Sequence, residues 1–404
     1  MYLANLGIDS GKTFDSIKIV EAKRKLVMTN LFYKVDFIPL AQEDGIHLYV
    51  ILKELFYYSP SGTIDYFQTT DGRDSWLRLS LGMTKQNFRG RMETLSLRVS
   101  GWRDRSLCLS WSKPLLPSTY YFGVSAGAEF YPELNYPRTR LVANSRVLFG
   151  KDLSLHSKAY ISITPAYTRI DTLCASENLV KDIEEADAAI GFSIDYRNNN
   201  FDPISGWFFL NEIMTNGIYS NEVNKYGQYS TDFRLYLPGF FDRNHIACRL
   251  IGCFRSNDAG PYMRLYAGGQ GSVRGFPSDY LGMSGEMNNS LVFSSEYRFP
   301  IVTIPEIGML SDLSMIERFP ELKGMYYQID GAFIADAGHL WGQFTQPLQI
   351  RQNGAGIGGG IKILTPTLRR GLCFDLVWPI TKDPVLCKTA IYAPNYYIYL
   401  DAYY

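Results

Sequence analysis

Several stretches of this 404-residue chain alternate apolar and polar residues with a period of two. In "WLRLSLGMT", Leu77, Leu79, Leu81 and Met83 oppose Arg78, Ser80, Gly82 and Thr84. "ETLSLRVS" sets Leu95, Leu97 and Val99 against Thr94, Ser96 and Arg98, and "QYSTDFRLYL" and "SLVFSSEYRF" repeat the pattern. Successive side chains of a strand point to opposite faces, so each run has one greasy face and one wet face. Alternation alone fits two folds. The apolar faces of a soluble sandwich look inward at a core, whereas those of an outer-membrane barrel look outward at lipid around a polar lumen. Length separates the two. The runs last about nine to twelve residues, as a tilted strand needs to cross a bilayer, whereas globular strands centre near about five or six. About sixteen turn-bounded segments follow from "TIDYFQTT" onward, an even number as bacterial barrels require. The final one, "NYYIYLDAYY", sets Ile398, Leu400, Ala402 and Tyr404 against Tyr399, Asp401 and Tyr403. The expected fold class is all-β, an antiparallel transmembrane β-barrel of about sixteen strands over residues 58–404.

Composition narrows the function. Lys plus Arg and Asp plus Glu are equal at 40 each, so no global field favours nucleic acid. Aromatic residues make up 15%, with 29 Tyr and 24 Phe, which suits a membrane interface. No run approaches the ~18 to 20 apolar residues of a spanning helix, so membrane residence would have to be as a barrel. The start "MYLANLG" shows no signal peptide, which implies an intracellular protein or a missing true N-terminus. Six dispersed cysteines, among them Cys248 and Cys253 on opposite faces of one strand, do not form a dense disulfide framework. Four histidines without shared spacing argue against zinc. No Ser/His/Asp set or paired acid–base carboxylates emerge, so no enzyme, metal or cofactor is expected.

Residues 1–57 read differently. Ile19, Ala22 and Leu26 recur at helical spacing between Phe14 and Met28, with Asp15 or Ser16 placed to cap the helix and Asn30 to end it. "LFYKVDFIPL" and "GIHLYVILKE" follow as two strands joined at "AQEDG". This resembles the second half of a POTRA domain, with Phe32 and Val35 at the strand entry and Lys53 and Glu54 closing it. The resemblance implies a small partial α+β module, with the chain starting inside it.

One segment breaks the strand pattern. "GGQGSVRGF" places Arg274 among Gly268, Gly269, Gly271 and Gly275, before Phe276. A dinucleotide fingerprint fits badly, because Gly269, Gly271 and Gly275 are spaced one residue too far, and no Lys-Ser/Thr follows for a phosphate loop. "LYAGGQGSVRGF" strongly resembles the G-G-x-x-S-V-R-G-F/Y element of the BamA/TamA superfamily of outer-membrane assembly and translocation barrels. Three further elements agree in order. They are "DYRNNNFDPISGW" with Asp195, Arg197, Pro203 and Gly206, then "FIADAGHLW", then "GIGGGIKILTP" followed by "FDLVWPI".

The resemblance implies that the loop folds back into the barrel and that Arg274 meets Asp336 on the inner wall. Val273, Arg274, Gly275, Phe276 and Asp336 make up this expected loop lock. Alternation in "MYYQIDGAFIAD" independently puts Tyr327, Ile329 and Phe333 outward and Asp330 and Asp336 inward, although a lone inward carboxylate is commonly just solvated. Gly354, Gly356, Gly358 and Gly360 share one face of a strand and leave a bare inner wall, read as room for the loop; a barrel corner is the other use of such glycines. Two departures from the family pattern are Ile334, where an aromatic is usual, and a last strand without its usual glycine. The implied function is insertion or translocation of β-rich polypeptides at the bacterial outer membrane. Its partners are the lipid bilayer, unfolded outer-membrane or secreted clients and periplasmic accessory proteins, with the POTRA portion in the periplasm. A two-partner-type secretion pore and a passive porin or surface antigen are the alternatives.

Overall fold

The computed structural model describes residues 8, 11–28, 31–43, 45–54, 57–68, 75–102, 104–115, 119–132, 138–154, 156–173, 178–198, 202–220, 225–241, 243–256, 265–282, 287–304, 327–342, 351–365, 370–381 and 394–401. Asn30, Cys174, Cys387 and the terminal Ala402, Tyr403 and Tyr404 lie outside them. The helix α1 (Ser16–Met28) starts directly after Asp15, one of the two expected caps, whose carboxylate accepts the Ile17 amide at 2.9 Å as the N-cap. Its buried stripe, Ala22 and Leu26, packs on Leu31, Phe32 and Val35 of a hairpin, β1 (Phe32–Gln42) and β2 (Gly45–Glu54). Met92, in a turn further along the chain, leans on the same cluster.

From Tyr58 the alternating runs form sixteen antiparallel strands that close on themselves. They are β3 (Tyr58–Gln68), β4 (Ser75–Phe88), β5 (Glu93–Trp102), β6 (Arg105–Pro114), β7 (Tyr120–Pro132), β8 (Arg138–Asp152), β9 (Ser157–Leu173) and β10 (Asn178–Asp195), then β11 (Gly206–Ser220), β12 (Gly227–Pro238), β13 (His245–Arg255), β14 (Asn289–Ile304), β15 (Tyr327–Trp341), β16 (Arg351–Thr365), β17 (Arg370–Pro379) and β18 (Asn395–Asp401). Each strand pairs with its sequence neighbours, and β18 returns to β3. Closure removes the free edges of an open sheet, which a bilayer does not tolerate.

The wet and greasy faces separate as alternation requires. Leu77, Leu79, Leu81, Leu97, Val99 and Phe333 stand exposed on the outer wall, while Asp330, Asp336, Glu296 and Arg298 are buried inside. So many large apolar side chains exposed along the strands match a wall facing hydrocarbon. The barrel is uneven in height. β9 and β10 run for 17 and 18 residues, longer than the ~9 to 11 that span a bilayer. Their far ends carry exposed polar pairs, Tyr167 with Asp182 and Arg169 with Asp171, suited to water rather than lipid. None of the four described cysteines, Cys108, Cys248, Cys253 and Cys373, is in a disulfide.

Pairing at the closure is short. β3 and β4 pair at eleven positions and β17 and β18 at seven, but β18 and β3 pair at three, Ile398 with Ile64, Tyr399 with Thr63 and Leu400 with Gly62.

Candidate functional site: a loop held inside the barrel

The connection from β13 to β14 turns into the lumen, and its described part, residues 265–282, lies against the inner wall. Gly268 and Gly269 adopt φ of +119° and +84°, a region that side-chain-bearing residues rarely enter. A Cβ on Gly268 would also lie 2.2 Å from the Pro277 carbonyl oxygen. The Gly269 amide donates to the Phe276 carbonyl at 3.0 Å, and Ala267 bridges Leu281, so the segment closes on itself. Its apolar side chains, Val273, Phe276, Tyr280 and Leu281, pack on Val292 of β14 and Leu340 of β15. Burying these groups against the wall drives docking, and Arg274 decides where the loop sits.

Arg274 is fully buried. Its Nε and Nη2 donate to the two oxygens of Asp336 at 2.7 and 2.9 Å, and its backbone amide donates to the same carboxylate at 3.0 Å. Nη1 donates to Glu296 on β14 at 2.5 Å and to Asp375 on β17 at 2.9 Å. Glu296 also accepts from Arg298 Nε at 2.8 Å and Lys362 Nζ at 3.0 Å, and Tyr399 of β18 donates to Asp375 at 2.9 Å. Three cations thus meet three carboxylates on five elements. Ion pairs of this kind gain little over packed hydrophobic groups, because both partners lose their water, yet removing one partner strands the other. The arrangement therefore specifies one loop position: a shift of about an ångström would break the fork–fork geometry.

The sequence-predicted site residues fall into two groups. Val273, Arg274, Gly275, Phe276 and Asp336 come together. Gly354 and Gly356 lie directly beneath the loop, where a Cβ would sit 2.5 Å from Leu281 and 2.0 Å from the Arg274 carbonyl oxygen. Gly358 and Gly360 do not accommodate the loop as expected. Added Cβ atoms there would strike β17, at 2.0 Å from the Leu376 carbonyl oxygen and 2.1 Å from the Asp375 carboxylate. The lower half of the strip thus lets two strands of the wall approach closely. A third glycine beneath the loop is Gly338, where a Cβ would meet Val273 Cγ2 at 2.5 Å; its signal was the D-x-G spacing after Asp336.

Asp336 is not a lone inward carboxylate, since Glu296 and Asp375 join it at the same guanidinium. Alternation already turned Glu296 to the wet face, but nothing in one strand tells which residues of neighbouring strands stand level with it. Ile334 makes no ring contact with the loop; it packs against Tyr397 of β18. Tyr397 itself reaches the loop, accepting the Gly275 amide at 3.0 Å and donating to the Phe276 carbonyl at 2.8 Å. In the "DYRNNNFDPISGW" element, Arg197 pairs with Asp195 at 2.7 Å and Gly206 opens β11 at φ +103°. Asp279, half-buried in the loop, has its carboxyl pushed up to about 6 by burial, opposed by Arg78 and reinforced by Asp65 and Asp104. Among the described residues no cluster of His, Cys, Asp or Glu is arranged to hold a metal ion.

The family described as the Omp85 superfamily domain matches residues 87–385. No curated protein matches the chain. Among solved structures, BamA from Haemophilus ducreyi lacking POTRA domains 1–3 is similar at 15% identity and a TM-score of 0.60, over 99% of this chain and 80% of that one. CdiB from Escherichia coli is similar at 12% identity and a TM-score of 0.63, over 100% and 74% of the two chains. CdiB from Acinetobacter baumannii gives 14% and 0.59 over 99% and 70%. At these identities the likeness is one of fold.

Proposed function

The chain belongs to the Omp85 superfamily, and on that premise we propose that it is an assembly factor that inserts or translocates β-rich polypeptides at the outer membrane. It does so without chemistry. The mechanism is β-augmentation, in which an unpaired strand edge donates its backbone groups to an incoming strand. The observation that carries this reading is the short closure: β18 covers β3 at three positions, leaving β3 residues 65–68 paired on the β4 side only among the described residues. A backbone edge left unpaired at bilayer depth is costly in hydrocarbon, which favours its capture of a new strand.

In this proposal the lock of Val273, Arg274, Gly275, Phe276 and Asp336 sets the loop and through it the shape of the barrel. Residues 1–57 act as the C-terminal half of a POTRA domain in the periplasm, where the exposed edges of the β1–β2 hairpin receive clients; its helix-on-hairpin packing supports this. The test is reconstitution in liposomes, following the folding of an unfolded eight-stranded barrel client by its gel shift, with conductance measured in parallel. The proposal expects faster client folding than in empty liposomes, lost in Arg274→Ala. Large steady conductance without faster folding identifies a passive pore instead, and export of a dedicated substrate identifies a secretion pore.

A further inference from the structure

The loop does more than dock on Asp336. Its segment from Gly275 to Ser278 touches both strands of the closure, at the level where they do not pair. On one side the Ser278 amide donates to the Tyr66 carbonyl of β3 at 2.8 Å. Tyr66 lies two residues past Ile64, where pairing with β18 stops. On the other side three contacts reach β18. The Asn395 side-chain amide donates to the Gly275 carbonyl at 2.6 Å, the Gly275 amide donates to the Tyr397 hydroxyl at 3.0 Å, and that hydroxyl donates to the Phe276 carbonyl at 2.8 Å. Continued at its register, β18 would set Tyr397 opposite Asp65 and Tyr396 opposite Tyr66. The Tyr66 carbonyl that a partner strand would use is taken by the loop instead.

We infer that residues Gly275–Ser278 form a latch across the open half of the β3–β18 closure, and that a strand arriving on the β3 edge must displace Ser278 from Tyr66. The physical case rests on satisfaction of backbone groups. A carbonyl at a barrel edge within hydrocarbon needs a donor, and among the described residues its donor is Ser278. The latch is stiff because its one glycine is closely packed. Gly275 sits at φ +104°, with the Gly356 Cα, the Pro379 amide nitrogen and the Trp378 carbonyl oxygen each 3.3 Å from where a Cβ would lie. Arg274, next in sequence, ties it to the wall. Release of the lock and exposure of the β3 edge are therefore coupled: the loop cannot leave Asp336 without also leaving Tyr66 and Tyr397.

The latch itself stands on geometry, whereas its displacement by a client rests on the assembly reading above; the experiment separates the two. The full chain in lipid nanodiscs is compared with Tyr397→Phe, which keeps the ring and removes both hydroxyl bonds, and with Tyr397→Phe combined with Asn395→Ala. Hydrogen exchange is followed over residues 62–68 and 273–282, and conductance is recorded in planar bilayers. The latch predicts at least tenfold faster exchange in both segments of the double variant, with new conductance steps, and a smaller change in Tyr397→Phe. Unchanged exchange and conductance in the double variant overturn it. With an unfolded barrel client added, displacement predicts that the double variant inserts the client faster than the unaltered chain, because the β3 edge is freed while Arg274 still holds Asp336; Arg274→Ala frees the edge too but loses the lock that sets the barrel's shape, so it does not gain. Faster exchange without faster insertion overturns the displacement step and leaves the latch. If the unaltered chain inserts no client, the assembly reading fails, and exchange and conductance alone judge the latch.

Discussion

Replacing Arg274 with Ala removes one guanidinium from a buried set in which it bonds Asp336, Glu296 and Asp375. What stays behind is three carboxylates facing two cations, Arg298 and Lys362. Removing one partner from a buried ion pair costs about 3 to 5 kcal/mol, mostly as the penalty of the stranded charge. At ~1.4 kcal/mol per tenfold, this corresponds to a loop that undocks roughly a hundred to a few thousand times more often. Asp336→Asn acts on the same contact from the wall and should move docking in the same direction. Arg274→Lys keeps the charge but cannot make the two-pronged contact, so it should fall between Ala and the unaltered chain. The assay is hydrogen exchange of the peptide covering residues 265–282 in detergent or nanodiscs, with barrel integrity checked by the heat-dependent gel shift. The double variant Arg274→Ala with Asp336→Asn should exchange no faster than the worse single variant, because the contact can be lost only once. Clearly additive losses, or an Arg274→Ala loop as protected as the original, would refute a direct pair as the element that seats the loop.

Three further outcomes follow from the same geometry. Glu296→Gln leaves Arg298 and Lys362 without their shared acid, so it should lower the thermal midpoint of the barrel more than Asp336→Asn, measured by circular dichroism. Gly356→Ala should eject the loop, since its Cβ would meet the Arg274 carbonyl oxygen, whereas Gly358→Ala should loosen the β16–β17 pairing against the Leu376 carbonyl oxygen; exchange mapped to residues 265–282 and 370–379 distinguishes them. Asp279 binds its proton more tightly when docked, with its carboxyl at about 6 against an ordinary 3.8. Its contribution to docking is therefore full below about pH 4 and lost as pH rises through 6, and Asp279→Asn should remove that part of the pH dependence of loop exchange.

The barrel was readable because alternation is a local property: Leu77, Leu79, Leu81 and Met83 declare one face without knowledge of any neighbour. Arg274 and Asp336 were readable in part for the same reason, one from glycine-rich surroundings that only a tight turn uses, the other from parity on its strand. What escaped depends on relations between strands. Glu296, Lys362 and Asp375 lie on β14, β16 and β17, and only the stagger of the closed sheet brings them level with one guanidinium. Gly356 and Gly358 look alike in sequence, yet one lies under a loop and the other against a neighbouring strand. Tyr397 was masked by its setting in an aromatic run, where "NYYIYL" shows which residues alternate but not which ring meets Gly275. The short β18–β3 pairing belongs to closure itself and has no signature in either strand alone.

The account rests on the direction of the apolar faces, and spin labels test that directly. Labels placed singly at Leu79, Leu81, Ile161 and Ile163, and at the partly exposed inward positions Ser80 and Thr164, in liposomes and with the native cysteines replaced by serine, report collision with oxygen dissolved in lipid or with a water-soluble nickel chelate. The outward set should show high oxygen access and little chelate access, and the two inward positions the reverse. Chelate access at the leucines and isoleucines, or protection from both reagents as in a sealed interior, would contradict a lipid-facing barrel and everything built on its lumen.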